Sequence, residues 1–326
     1  MSGHQPKVLV IGAGVCGLTT AICLAEAGLD VTIRAARLPP DTTSVAAGAV
    51  WGPHLVEQSE RVTRWGRDTL DTLTGLAGQP GTGVHLGQGI EAVRTPEAPP
   101  RWVTGLPGFR MCEPAELPGE LVTGWQFRAP VISMPVYLEY LLDRFTGGAG
   151  QVQVGTVASL AEAAQAAPVV VNCSGAGACD LVPDPQVQPV RGQALVVANP
   201  GLTDFLVAPT EDGTEFSYMF PHRDTVVLGG TEQPGNWSLE PDPETSRRIL
   251  ARCAALEPRL AGARILAERV GLRPARPTVR LEAERTSRGG LLLHNYGHGG
   301  AGVTLSWGCA REITAQILHG DLAWGP

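Results

Sequence analysis

Lys7-Val8-Leu9-Val10-Ile11-Gly12-Ala13-Gly14-Val15-Cys16-Gly17-Leu18 is the stretch whose reading decides the fold. Val8, Leu9, Val10 and Ile11 form an apolar run of strand length that passes directly into glycines spaced G-x-G-x-x-G. Leu18, Ile22, Leu24 and Ala25 then recur at helical spacing, Gly28 supplies a stop, and Val31-Thr32-Ile33 reads as the next strand. Strand, glycine turn, helix and strand within about 30 residues open a nucleotide-binding unit. Gly12 lets the chain turn, Gly14 lets backbone amides approach a pyrophosphate, and Gly17 lets helix and strand pack closely. A Gly-rich turn of some other α/β protein is the plainer alternative. The flanking strand and helix argue against it.

Moving outward, the second strand ends in Arg34-Ala35-Ala36-Arg37, without the acid that usually holds a ribose. Taken alone, Arg37 is either a solvated surface arginine or a partner for a 2′-phosphate. Val169-Val170-Val171 reads as a buried parallel strand and leads into Asn172-Cys173-Ser174-Gly175-Ala176-Gly177. Leu291-Leu292-Leu293 leads into His294-Asn295-Tyr296-Gly297-His298-Gly299-Gly300-Ala301-Gly302, before an amphipathic helix with Val303, Trp307, Ala310, Ile313 and Ile317. A phosphorylated nicotinamide cofactor gives no reason for this late glycine segment. A flavin dinucleotide does, because a second helix N-terminus then returns to the cofactor. Helices are expected at 57–76, 134–145, 160–167 and 244–256. Strands are expected at 152–157, 194–197, 216–221 and 225–228, and residues 77–135 read as mostly β. The fold expected is α/β: a Rossmann-like FAD-binding domain built from 1–75, 140–185 and 275–326, and a second, mostly antiparallel β-sheet substrate-binding domain from 76–139 and 186–274.

Composition narrows the function. The 326 residues suffice for about two domains at roughly 150 residues each. With 43% hydrophobic and 17% charged residues the chain is globular. A net charge of −7 without a basic run argues against nucleic acid as a partner. The cysteines (Cys16, Cys23, Cys112, Cys173, Cys179, Cys253 and Cys309) are odd in number and show no CxxC pair. That pattern fits a reducing, cytoplasmic setting and no structural zinc. Lys7 ahead of the apolar run imitates a signal peptide, but glycines and Glu26 interrupt it. No run of about 18 apolar residues predicts a membrane span, and Trp324-Gly325-Pro326 is no peroxisomal address. His294 and His298 stand at i, i+4, but the glycines between them speak against a helix and a metal.

Gly271-Leu272-Arg273-Pro274-Ala275-Arg276-Pro277 sets two arginines among prolines that stiffen the backbone. Arginine suits bidentate carboxylate binding, with a surface pair in a proline-rich loop as the plain alternative. Here a resemblance becomes specific. VLVIGAGVCGLTTAICLAEA (8–27), TTSVAAG (42–48), VNCSG (171–175), RGQ (191–193), LGGT (228–231), GNW (235–237), GLRPARPTVRLE (271–282) and HNYGHGGAGVTLSWGCA (294–310) resemble the D-amino-acid oxidase family of FAD-dependent amine oxidoreductases. They come in family order and span nearly the whole chain.

The resemblance implies roles. Arg273 and Tyr218 would bind the substrate carboxylate, and the carbonyl of Gly300 would accept from its amine. Around FAD it implies Gly12, Gly14, Gly17, Arg37, Thr42, Thr43, Gly48, Val157, Ser174, Gly175 and Arg273, and from the late segment His294, Gly299, Gly302, Val303 and Thr304. The expected reaction passes hydride from the substrate Cα to flavin N5 and electrons to O2, giving 2-oxo acid, ammonia and hydrogen peroxide. Partners are a small D-amino acid and O2, and the resemblance allows a homodimer. A D-aspartate oxidase, a glycine or sarcosine oxidase, a quinone-linked D-amino-acid dehydrogenase and a non-catalytic dinucleotide-binding protein are the alternatives. Departures concern Ala36 in place of an acid, Thr214 in place of a second tyrosine, and one extra residue before Trp51-Gly52-Pro53-His54. Residues 205–217 hold Glu211, Asp212 and Glu215 but no Lys or Arg, so neutral side chains are expected. His54 is the one plausible cation from the other wall, but an uncharged histidine near pH 8 would not serve; a distant arginine such as Arg223 or Arg276 reaching the pocket would reverse this.

Overall fold

The computed structural model describes residues 6–286 and 289–320; Trp324-Gly325-Pro326 lies outside them. Along the chain the strands are β1 Lys7–Ile11, β2 Asp30–Ala35, β3 Val84–Val93, β4 Arg110–Met111, β5 Thr123–Ile132, β6 Gln151–Val154, β7 Val169–Asn172 and β8 Gln188–Ala198. They continue as β9 Phe205–Pro209, β10 Phe216–Pro221, β11 Thr225–Gly229, β12 Gln233–Pro234, β13 Ile265–Ala275, β14 Arg280–Arg285 and β15 Leu291–Tyr296. The helices are α1 Val15–Glu26, α2 Glu60–Leu76, α3 Arg101–Thr104, α4 Met134–Gly147, α5 Leu160–Ala166, α6 Ala178–Leu181, α7 Pro243–Leu256 and α8 Gly302–His319.

The strands sort into two sheets. One has the order β14-β15-β7-β1-β2-β6 and is parallel except for the antiparallel β14. Its centre is apolar on both faces: Val8, Val10, Val170, Val171 and Ile33 are all fully buried. The other sheet runs β12-β8-β11-β10-β9-β3-β5-β4, with β13 also on β8, and is antiparallel apart from the β3/β9 pair. The α/β fold with a parallel sheet and a mostly antiparallel one is therefore as expected.

Helix α8 packs between α1, which lies against β1 and β2 of the parallel sheet, and α2, which touches β3 and β5 of the antiparallel one. Polar anchors fix them: the Trp307 indole donates to the Tyr137 hydroxyl at 2.8 Å on α4. Glu312 on α8 accepts from the Trp65 indole at 2.6 Å and from Arg61 and Arg64 on α2. α2 starts at Glu60, three residues later than expected, because the Ser59 hydroxyl caps it by accepting from Val62 N at 3.2 Å.

Besides β9 and the two-residue β12, the strands β13 and β14 escaped the sequence reading. Residues 271–277 read as a proline-rich loop, yet Arg273 and Pro274 lie on β13, an eleven-residue strand along β8. Ile265-Leu266-Ala267-Glu268-Arg269-Val270 lacks clean alternation, and proline is tolerated because β13 pairs on one side only. β14 was hidden by its charges, Arg280, Glu282, Glu284 and Arg285, which suit an edge strand.

Two glycine positions on α2 and α8 should respond oppositely to one added methyl. A Cβ at Gly308 would collide with the backbone of Trp65, whereas nothing lies within 4 Å of a Cβ at Gly75. Gly308→Ala should lower stability by about 1–3 kcal/mol. Gly75→Ala should raise it by up to about 1 kcal/mol. Urea denaturation of the two variants measures both signs.

Candidate active site

A cleft of about 1130 Å³ opens at the carboxyl ends of β1, β2, β7 and β15, where open α/β sheets bind ligands. It exceeds the roughly 300–1,000 Å³ of sites for drug-sized ligands. The glycine turn after β1 forms one wall. Gly12 has φ of +105°, and its amide donates to Arg34 O at 2.9 Å. A Cβ there would lie 2.5 Å from Cys173 O, and one on Gly17 would strike Gly12 O. Glycine at both positions is what lets β1, α1 and the end of β7 meet. Gly14 faces Ser44, whose Oγ accepts from Val15 N at 3.0 Å at the start of α1.

Among the residues expected around the cofactor, Gly12, Gly14, Arg37, Thr42, Thr43, Val157, Ser174, Gly175, Arg273, Gly299, Gly302 and Val303 line this cleft, as does Gly300. The Thr42 and Ser174 hydroxyls and His298 Nε2 are buried without a protein partner. Buried polar atoms normally have partners, so these three are free to bond a ligand. Burial pushes His298 down to about 4, which makes it a neutral ring. Cys16 and Cys173 also line the cleft, and burial pushes both thiols well above their ordinary range. At the end of β2, Arg34, Ala36 and Arg37 line the cleft, and Arg34 is paired with Glu162 at 2.7 Å.

Four expected cofactor residues stand behind the wall instead. Gly17 packs against Gly12. His294 is fully buried between Asn172 (3.3 Å) and Glu284 (3.1 Å), and Asn172 in turn holds Ser174 N at 3.1 Å. Thr304 Oγ1 donates to Gly52 O at 2.8 Å, tying α8 to the segment before His54. Gly48 leaves room for the rings of Tyr218 and Phe220, which a Cβ would approach to 2.6 and 2.9 Å.

Of the residues expected to hold substrate, Arg273 and Tyr218 lie on the antiparallel sheet, and Gly300 lies in the turn between β15 and α8. Arg273 crosses Gly192, where a side chain would meet its guanidinium, and its Nη1 donates to Thr231 O at 2.9 Å. Tyr218 on β10 stacks on Phe220 with centroids 4.6 Å apart. Its ring lies over Gly229 and Gly230, where any side chain would collide with it. Burial pushes the Tyr218 hydroxyl above its usual range, and the nearby Arg273 charge partly offsets this. His54 Nε2 bonds Glu232 at 3.0 Å, and a Cβ on Gly300 would lie 2.5 Å from the His54 ring.

Several of these partners were not read from the sequence. Gly192, Gly229 and Gly230 sit inside the stretches RGQ and LGGT, but what each must not touch becomes visible only once the strands are paired. Arg269 was missed altogether. Its Nη1 donates to Val45 O at 3.4 Å, and it is the cation besides Arg273 whose charge acts on Tyr218. Arg276 does not serve that purpose, being bound to Asp184 at 3.1 Å, and Arg223 is exposed on the turn after β10.

A dinucleotide fits this cleft: the glycine turn admits a pyrophosphate, and the unpartnered Thr42, Ser174 and His298 atoms supply polar contacts along it. Residues 7–316 match the family model of FAD dependent oxidoreductases. The chain is 51% identical over 311 residues to a D-amino-acid oxidase of Rubrobacter xylanophilus, covering 95% of each chain. It is 40% identical over 330 residues to a human D-aspartate oxidase, covering 96% of each. Glycine oxidase from Geobacillus kaustophilus shares the fold at a TM-score of 0.83 and 19% identity, over 99% of this chain and 97% of that one. With a glycine-turn cleft of dinucleotide size and a family match along nearly all its length, the chain belongs to the FAD-dependent oxidoreductases.

Proposed function

We propose that this protein is a D-amino-acid oxidase that uses FAD to convert neutral D-amino acids and O2 to 2-oxo acids, ammonia and hydrogen peroxide. The observation that carries this reading is the arginine–tyrosine pair, Arg273 and Tyr218, at the end of an FAD-type cleft. The 51% identity to a D-amino-acid oxidase supports it. FAD, held by the glycine turn and by Thr42, Ser174 and His298, would supply the oxidising chemistry as hydride acceptor and electron donor to O2. The chain supplies binding and orientation. Arg273 has one nitrogen fixed on Thr231 O, which leaves the rest of its fork for a carboxylate. The Tyr218 hydroxyl donates to the same carboxylate, and the Gly300 carbonyl accepts from the amine. With carboxylate and amine fixed and the Cα–H left facing the flavin, three directions at one carbon are set, and these select the D form. With the amine bound neutral, no general base is required, and water hydrolyses the released imino acid.

The two sheets are read as the cores of two domains, with limits 1–75, 140–185 and 275–326 for FAD and 76–139 and 186–274 for substrate. Among the described residues no helix is long and apolar enough to cross a membrane; a cytoplasmic location is part of this proposal.

The purified protein should be yellow with noncovalent FAD, and a D-amino acid under argon should bleach it. A visible spectrum before and after addition checks this. Arg273→Ala removes one charged partner of a desolvated carboxylate, a loss on the order of 2–5 kcal/mol. It should lower kcat/KM by roughly 30- to 5000-fold, at about 1.4 kcal/mol per tenfold, with the visible spectrum intact. Arg273→Lys should recover only part of the loss. Substrate choice is the third test. D-valine and D-methionine should exceed D-aspartate and D-glutamate by at least about tenfold in kcat/KM at pH 8, or about 1.4 kcal/mol. D-aspartate as the best substrate would overturn the neutral assignment.

A further inference from the structure

Arg273 and Gly300 mark the two ends of the proposed substrate, and one histidine–carboxylate contact connects their surroundings. Glu232 directly follows Thr231, whose carbonyl fixes Arg273 at 2.9 Å. Its carboxylate bonds His54 Nε2 at 3.0 Å. The His54 ring in turn fills the space beside Gly300 and meets Phe216 edge-on at 5.6 Å. A side chain leaving a Cα held between Arg273 and Gly300 therefore has this pair for a neighbour.

The charges around the pair are unequal. Glu215 accepts from Glu232 N at 3.1 Å, but its own charge is matched by Arg252 at 2.6 Å. Arg252 also donates to Gly230 O at 2.8 Å, which closes that network. Among the described residues, the side chain within ion-pair distance of the Glu232 carboxylate is the His54 imidazole rather than an arginine or lysine. Its side chain is 18% exposed and that of His54 39%, so the carboxylate is shielded while the ring can move aside into solvent. Despite burial, the bond from His54 and the nearby charge of Arg273 keep Glu232 below the usual carboxylate range, so it stays an anion.

We propose that Glu232 is a specificity-determining residue that binds the ammonium or guanidinium end of a basic D-amino acid, the cation displacing His54. The inference rests on Arg273 being the carboxylate anchor. A long cationic side chain exchanges a histidine bond for a charge-assisted one with a full cation. An acidic side chain meets a fixed negative charge and is rejected, whereas a neutral one gains and loses little.

The test compares wild-type holoenzyme with Glu232→Gln and His54→Ala. Two readouts are used: the kcat/KM ratio of D-lysine to D-norleucine, and calorimetric binding of 6-aminohexanoate against hexanoate, which keep the carboxylate and lack the reacting amine. The expected results are tighter binding of 6-aminohexanoate than hexanoate by wild type, and loss of that preference in Glu232→Gln. The D-lysine to D-norleucine ratio should fall about tenfold in Glu232→Gln and rise in His54→Ala, where the carboxylate is freed. Equal binding of the two carboxylates by wild type, or a ratio that is the same in wild type and Glu232→Gln, overturns the role of Glu232 alone. If neither carboxylate binds and D-norleucine is not oxidised, the Arg273 reading fails and this one with it.

Discussion

The site depends on one short segment, 42–48, being held between the two sheets. Ser44 caps the first amide of α1, the Val45 carbonyl is bonded by Arg269 from β13, and Gly48 lies under the rings of Tyr218 and Phe220. On Gly271 a Cβ would come within 3.0 Å of the Ala46 Cβ and 3.2 Å of Thr43 O. Small residues on one side and glycine on the other let the two backbones approach this closely, and rigid packing of this kind tolerates little added volume. The consequence is geometric. The turn that lines the cleft and the sheet that carries Arg273 and Tyr218 share a contact surface, so their spacing is set by van der Waals contact rather than by a flexible linker.

The parallel sheet was legible in the sequence because its strands are continuous apolar runs punctuated by glycine: 8–11 before Gly12, 169–171 before Ser174 and Gly175, and 291–293 before Gly297. Burial on both faces produces that signal. The antiparallel sheet was legible in part. Residues 216–221 and 225–228 alternate or are apolar enough to read as strands, while β13 carries Arg269, Gly271, Arg273 and Pro274 and reads as a loop. Its composition follows from its task, since its inward face must carry cations and a gap instead of aliphatic core. Local periodicity reports burial in a core, so a strand built to face a cleft is the kind it misses.

The same limit applies to side-chain roles. Family resemblance named His294 and Thr304, both of which hold backbone in place from behind the wall. His298, set aside as a poor metal ligand, brings a buried and unbonded ring nitrogen to the cleft. Two histidines four residues apart differ because β15 runs through His294 to Tyr296, and only after it does the chain turn towards the cleft. Arg276 was an equally open case. Asp184, which also bonds Tyr296 at 2.8 Å and lies 3.7 Å from Arg280, holds it away from the substrate sheet.

The thiols of the cleft gain meaning from the reaction proposed for it. Hydrogen peroxide oxidises cysteine through the thiolate, and the rate follows the fraction ionised. Cys173 is pushed up to about 12 by burial and Cys16 still higher. An enzyme releasing peroxide beside these sulfurs thus presents them as neutral thiols. The apolar packing that closes β1, β7 and α1 keeps these two sulfurs in the form that reacts slowly with peroxide.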